Sequence, residues 1–90
     1  MLLWEVKSSN RFESSYEKLG KDMTQRVDAA IQTLLNADKP ERCGIAKKGS
    51  RKGYFSYELG RSCRIIYRPL YDQKKIEFLR VCSHKEAYAP

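Results

Sequence analysis

Three stretches of this 90-residue chain place side chains that could handle a phosphodiester. The first is Arg61-Ser62-Cys63-Arg64-Ile65-Ile66-Tyr67. It sets the guanidinium of Arg64 on a run otherwise built for a core. Arginine stays charged and can grip a phosphate through two parallel hydrogen bonds, and a rigid strand aims it better than a loop. The same residue could simply pair with Glu58 on a neighbouring strand. The second stretch closes the sequence with Val81-Cys82-Ser83-His84-Lys85-Glu86-Ala87-Tyr88. His84, the sole histidine, can give or take a proton near neutral pH, as cleavage of RNA through its own 2′-OH requires. It could equally be structural. Tyr88, four residues on, could stack on a base or cap the core. The third stretch, Asp38 to Gly53, carries Lys39, Arg42, Lys47, Lys48, Arg51 and Lys52 among three glycines. Such a loop can hold phosphates without reading sequence, or can be merely solvated.

The charge distribution favours a polyanionic partner. Six Lys/Arg and six Asp/Glu cancel within residues 1–40, whereas residues 41–90 carry twelve against five and so hold the whole net charge of +7. One-sided positive charge concentrates polyanions, and phosphate contacts gain further from counterion release. Hydrophobic residues at 41% and charged residues at 32% fit a folded domain rather than a disordered tail. Residues 1–90 make one domain, too short for a second core. No apolar run could span a bilayer, and Met-Leu-Leu-Trp followed by Glu5 and Lys7 is too short and polar for a signal peptide, so the expected location is the cytoplasm. Cys43, Cys63 and Cys82 are odd in number and widely spaced, unlike a disulfide framework, and no pair has the close spacing of a zinc site. They read as small core residues, with no metal and no cofactor.

Positioning these groups falls to a short series of elements. Leu2, Trp4 and Val6 alternate with polar neighbours as in a short strand. Asn10 with Glu13 has capping-box spacing, and Phe12, Tyr16 and Leu19 form a helical stripe that Gly20 ends. A second helix starts near Lys21 or Asp22 and buries Met23, Val27, Ile31, Leu34 and Leu35, with Ala30 beside them, until Asn36–Pro40 stops it. Segments 54–59, 63–68 and 75–82 are rich in aromatic and β-branched residues and read as an antiparallel meander. Phe55, Tyr57 and Leu59 share one face, as do Cys63, Ile65 and Tyr67; the last strand is apolar on both faces, which suits an interior position. The expected fold is α+β in the order β-α-α-β-β-β, with two N-terminal helices on one face of a curved, mainly antiparallel four-stranded sheet. The other face, with Arg64, Arg68 and Arg80, is left uncovered. Arg64, His84 and Tyr88 are expected to converge there in a cationic hollow.

The element order, the Gly-x-x-x-Arg-Ile-Ile-Tyr strand at Gly60–Tyr67 and the closing His-Lys-Glu-Ala-Tyr at His84–Tyr88 together resemble the RelE/ParE toxin superfamily, from Trp4 to Tyr88. The resemblance implies a toxin of a type II toxin–antitoxin system, specifically a ribosome-dependent mRNA endonuclease acting in the A site by 2′-OH attack on the adjacent phosphate. It implies that Arg64 stabilises the phosphate, that His84 acts as general acid or base, and that Tyr88 orients the nucleotide. Glu58, as in YoeB-like members, or Glu41 would be the base. Lys47, Lys48, Arg51, Lys52, Arg61, Arg68, Arg80 and Lys85 would contact RNA. Ser56 and Glu58 stand where RelE has strand lysines. An acidic antitoxin is the implied partner, besides the ribosome and mRNA. A ParE-like inhibitor of DNA gyrase, or a degenerate member that only binds antitoxin or nucleic acid, are the alternatives.

Overall fold

The computed structural model describes residues 3–46, 53–60 and 63–82. Its order is β1 (Glu5–Ser8), α1 (Asn10–Glu17), α2 (Lys21–Leu35), one 3₁₀ turn (Pro40–Arg42), β2 (Ile45–Ala46), β3 (Phe55–Glu58), β4 (Arg64–Leu70) and β5 (Lys75–Val81). Among the described residues the sheet has five strands in the order β1-β5-β4-β3-β2, one more than the sequence pattern predicts. The extra strand is β2, a two-residue edge too short to show periodicity. β1 runs parallel to β5, and every other pairing is antiparallel.

Both helices pack on one face of the sheet, against β5. Phe12 of α1 and Val27, Ala30, Leu34 and Leu35 of α2 are buried against Ile65, Tyr67, Ile76, Phe78 and Val81. Met23, Ile31, Tyr16 and Leu19 border that cluster, as do Phe55, Tyr57 and Leu59, so the face assignments made from alternation hold. Trp4 locks the sheet edge to the end of α2. It is 3% exposed, and its indole N–H donates to the Ala37 carbonyl at 2.7 Å.

The start of α1 differs by one residue from the expected capping box. Ser9, not Asn10, is the N-cap, and its hydroxyl accepts from the Phe12 amide at 3.0 Å. Glu13 instead accepts from the Ser8 hydroxyl at 2.8 Å. Gly20 does not end α1, which closes at Lys18; it is the N-cap of α2.

The last strand appears apolar on both faces because its alternation is interrupted. Tyr67 lies opposite Phe78 but Ile66 lies opposite Arg80, so Leu79 is an extra, bulged residue. The bulge puts Ile76, Phe78 and Val81 into the core while turning Arg80 outward. Ser9 holds this irregularity in place. Its amide donates to the Phe78 carbonyl at 3.1 Å and its hydroxyl to the Leu79 carbonyl at 2.8 Å.

The cysteines depart from the expectation. Cys63 and Cys82 are joined as a disulfide, and only Cys43 is free and exposed. Cys63 is a core residue as predicted, but it is also half of a covalent tie between the ends of β4 and β5. No helix among the described residues is long and apolar enough to cross a membrane.

Candidate functional site

Strand alternation sets the face away from the helices. Ile65 and Tyr67 enter the core with no exposure, so Arg64, Ile66 and Arg68 point the other way. The registers Glu58↔Arg64, Ser56↔Ile66, Ile66↔Arg80 and Arg68↔Glu77 add their neighbours. Three arginines thus ring Ile66: Arg64 and Arg68 two positions away along β4, and Arg80 across on β5. This is the basic face expected from the sequence, but its centre is not open. Ile66 is 7% and Ser56 4% exposed. Long guanidinium-bearing stems cover apolar surface well, and these neighbours have them.

The three arginines are not equivalent. Arg68 is fixed in place. Its Nη2 donates to the Glu77 carboxylate at 2.8 Å, and its guanidinium lies 4.8 Å from the centroid of the Tyr54 ring. Glu77 is only 18% exposed, so this pair helps hold β4 to β5. Arg64 is held more loosely. Its guanidinium is 3.5 Å from the Glu58 carboxylate, and both side chains are substantially exposed. Such a pair contributes little, on the order of 0–1 kcal/mol, and solvent screens it. A phosphate arriving here competes against a weak partner.

Glu58 also rims a cleft of about 360 Å³ with Cys43, Gly44, Ile45, Ser56 and Tyr57. The cleft lies where the 3₁₀ turn and β2 meet β3. Gly44 is what allows that closeness, because a Cβ there would stand 2.6 Å from the Ser56 carbonyl oxygen and 2.7 Å from the Tyr67 hydroxyl. Tyr67 spends that hydroxyl on the Pro40 carbonyl at 2.6 Å. Burial pushes its titration far above the usual phenol range, so it is a fixed neutral donor.

Glu41 lies elsewhere. Its carboxylate accepts a hydrogen bond from the Tyr71 hydroxyl. Tyr71 follows the end of β4 opposite to Arg64, seven residues away and hence roughly 20 Å along an extended chain. The bond lowers the Glu41 pKa, which makes this carboxylate a weaker base. Of the two carboxylates considered as base, Glu58 is the one beside Arg64.

The structure therefore brings Arg64, Glu58, Arg68 and Arg80 onto one face. His84, Tyr88, Lys85, Arg61, Lys47, Lys48, Arg51 and Lys52 lie outside the described residues. Sequence reasoning missed the Cys63–Cys82 bridge, although one signal was available: the two cysteines flank the strands of a single hairpin.

Comparison with known proteins gives a consistent picture. Residues 6–88 match the family described as the ParE toxin of the type II toxin–antitoxin system parDE. No curated protein sequence matches. Among solved structures, YafQ from E. coli strain BL21(DE3) is similar over 96% of this chain and 99% of its own, with a TM-score of 0.73 at 15% identity. A chain of the intact E. coli RelBE toxin–antitoxin complex is similar over 87% of this chain and 93% of its own, with a TM-score of 0.72 at 15% identity. The archaeal RelE–RelB complex from Pyrococcus horikoshii OT3 covers 89% and 93%, at 0.71 and 21%. At these identities the structural likeness speaks for the fold.

Proposed function

Because the chain belongs to the ParE toxin family of type II toxin–antitoxin systems, a branch of the RelE/ParE superfamily, we propose that it is a toxin that cleaves mRNA on the ribosome. The observation that carries this reading is Arg64: a strand-mounted guanidinium in a ring of three, paired among the described residues with a half-exposed carboxylate at 3.5 Å. A scissile phosphate displaces Glu58 from Arg64 and takes its place. Arg64 then stabilises the charge that builds on the phosphate as the neighbouring 2′-OH attacks it. Glu58, released but adjacent, accepts the 2′-OH proton, and His84 donates one to the leaving 5′ oxygen, leaving a cyclic phosphate. Tyr88 orients the nucleotide. Lys47, Lys48, Arg51, Lys52, Arg61, Arg80 and Lys85 hold the flanking backbone, and Arg68 supports the face through Glu77 while adding to its positive field. The expected partner is an acidic antitoxin segment, in keeping with the positive charge gathered in residues 41–90. Known structures of this fold include toxin–antitoxin complexes. The ribosomal target places the activity in the cytoplasm.

A second reading is favoured by the family that matches, which is ParE itself. In it the chain inhibits DNA gyrase and performs no nucleolytic step. Induction of the chain in bacteria separates the two. The endonuclease reading predicts arrested translation with unchanged plasmid supercoiling, and loss of the arrest in Arg64→Ala and His84→Ala. Altered supercoiling with intact mRNA would replace it with the gyrase reading.

A further inference from the structure

Cys63 immediately precedes β4 and Cys82 immediately follows β5, and the bond between them closes the open end of that hairpin. Arg64 is the next residue along, and its carbonyl accepts from the Cys82 amide at 2.8 Å. Cys82 has φ 57°, a left-handed conformation that a non-glycine residue keeps only where its surroundings over-determine it. The disulfide and the amide bond supply that determination together. Both act on the strand end that carries Arg64. In a cytoplasmic thiol pool, such a bond forms and opens with the redox poise.

We propose that Cys63–Cys82 is a reversible redox staple: closed, it fixes the Arg64 end of β4, and open, it loosens that end and slows the toxin. The activity half rests on the endonuclease reading; the structural half does not. A low-molecular-weight disulfide suffices as oxidant. The thiolate of Cys82, the less buried of the two, attacks one sulfur of glutathione disulfide and expels one glutathione thiolate, forming a mixed disulfide. The Cys63 thiol then loses its proton and attacks the Cys82 sulfur, expelling the second glutathione. Two electrons pass from the cysteine pair to glutathione disulfide, and the two cysteine protons end on the released glutathione thiols. Excess glutathione runs the same steps backwards.

The full-length chain is equilibrated in glutathione buffers from oxidising to cytosolic poise. Free thiols, hydrogen exchange at the Cys82 amide and mRNA cleavage on ribosomes are then measured. Exposed Cys43 takes up glutathione as a mixed disulfide at the oxidising end, so thiols are counted at Cys63 and Cys82 by peptide mapping after alkylation: none when closed, two when open. The expected result is a passage from none to two within that range, with Cys82 exchange roughly tenfold faster once open. Cleavage should fall by roughly ten- to a hundredfold, as misplaced catalytic groups do. The Cys63→Ser/Cys82→Ser double variant should behave as the open chain in every buffer; if it does not fold, the wild-type comparison carries the test alone. A constant thiol count, or Cys82 exchange unaffected by opening, overturns the staple. Equal cleavage in both states overturns its regulatory role. Absence of cleavage in either state, with thiols and exchange shifting as expected, defeats the endonuclease reading while supporting the staple.

Discussion

Arg64 and Glu58 meet across β3 and β4 at 3.5 Å with both side chains well exposed, so the pair adds little to stability, and the role proposed for it is chemical. Arg64→Ala should lower the cleavage rate by roughly 10²–10³, the usual loss when one charge-stabilising donor is removed, while thermal unfolding moves by less than about 1 kcal/mol. Glu58→Gln should cost roughly 10²–10⁴ in rate if the carboxylate takes the proton, again with little change in unfolding. Single-turnover cleavage read beside a melting curve checks both, and equal losses in rate and stability would make the pair structural. The Tyr71–Glu41 bond titrates in two windows. It lowers the Glu41 pKa, so its contribution is present above the ordinary carboxylate range and fades as pH falls through the lowered value. The Tyr71 phenol, through the same bond and then burial, is pushed up to about 12, so its contribution is complete below the usual 10.0 and lost as pH rises through that higher value. Tyr71→Phe should therefore flatten both the acid and the alkaline edges of the stability profile, as urea unfolding across pH would show.

At the scale of elements, Ser9 does two jobs: it caps α1 and holds the bulge that turns Arg80 outward. Ser9→Ala should destabilise the chain by roughly 1–2 kcal/mol in urea unfolding, more than an average surface change. Gly44→Ala should cost roughly 1–3 kcal/mol, because the added carbon meets a backbone oxygen and a buried, committed hydroxyl rather than a flexible chain end. Both helices were legible in the sequence because their apolar stripes repeat over two to four turns, and three strands because alternation survives over four to seven residues. The losses have physical causes. β2 is two residues long and carries no period. The bulge at Leu79 disguises an alternating strand as one apolar on both sides. The cap at Ser9 rather than Asn10 goes with the bond of the Ser9 hydroxyl to the bulge, a contact 70 residues distant in sequence. For the site, alternation along β4 already placed Arg64 and Arg68 together, whereas the Tyr71–Glu41 bond joins residues 30 apart and only the fold supplies it.

For the molecule as a whole, the net charge of +7 drawn entirely from residues 41–90 should govern encounter with nucleic acid. Binding of single-stranded RNA should weaken steeply with salt, and Arg64→Ala should reduce the log–log slope by about 0.7, one phosphate contact's share. A fluorescence titration at several salt concentrations measures it. If the basic face cuts mRNA on the ribosome with Arg64 against the phosphate, as proposed, mRNA ends mapped on translating ribosomes after induction will record it. New ends clustered at A-site codons with the wild-type chain, and absent with Arg64→Ala, are the predicted result. Growth arrest with no new ends, or the same ends produced by Arg64→Ala, would contradict it.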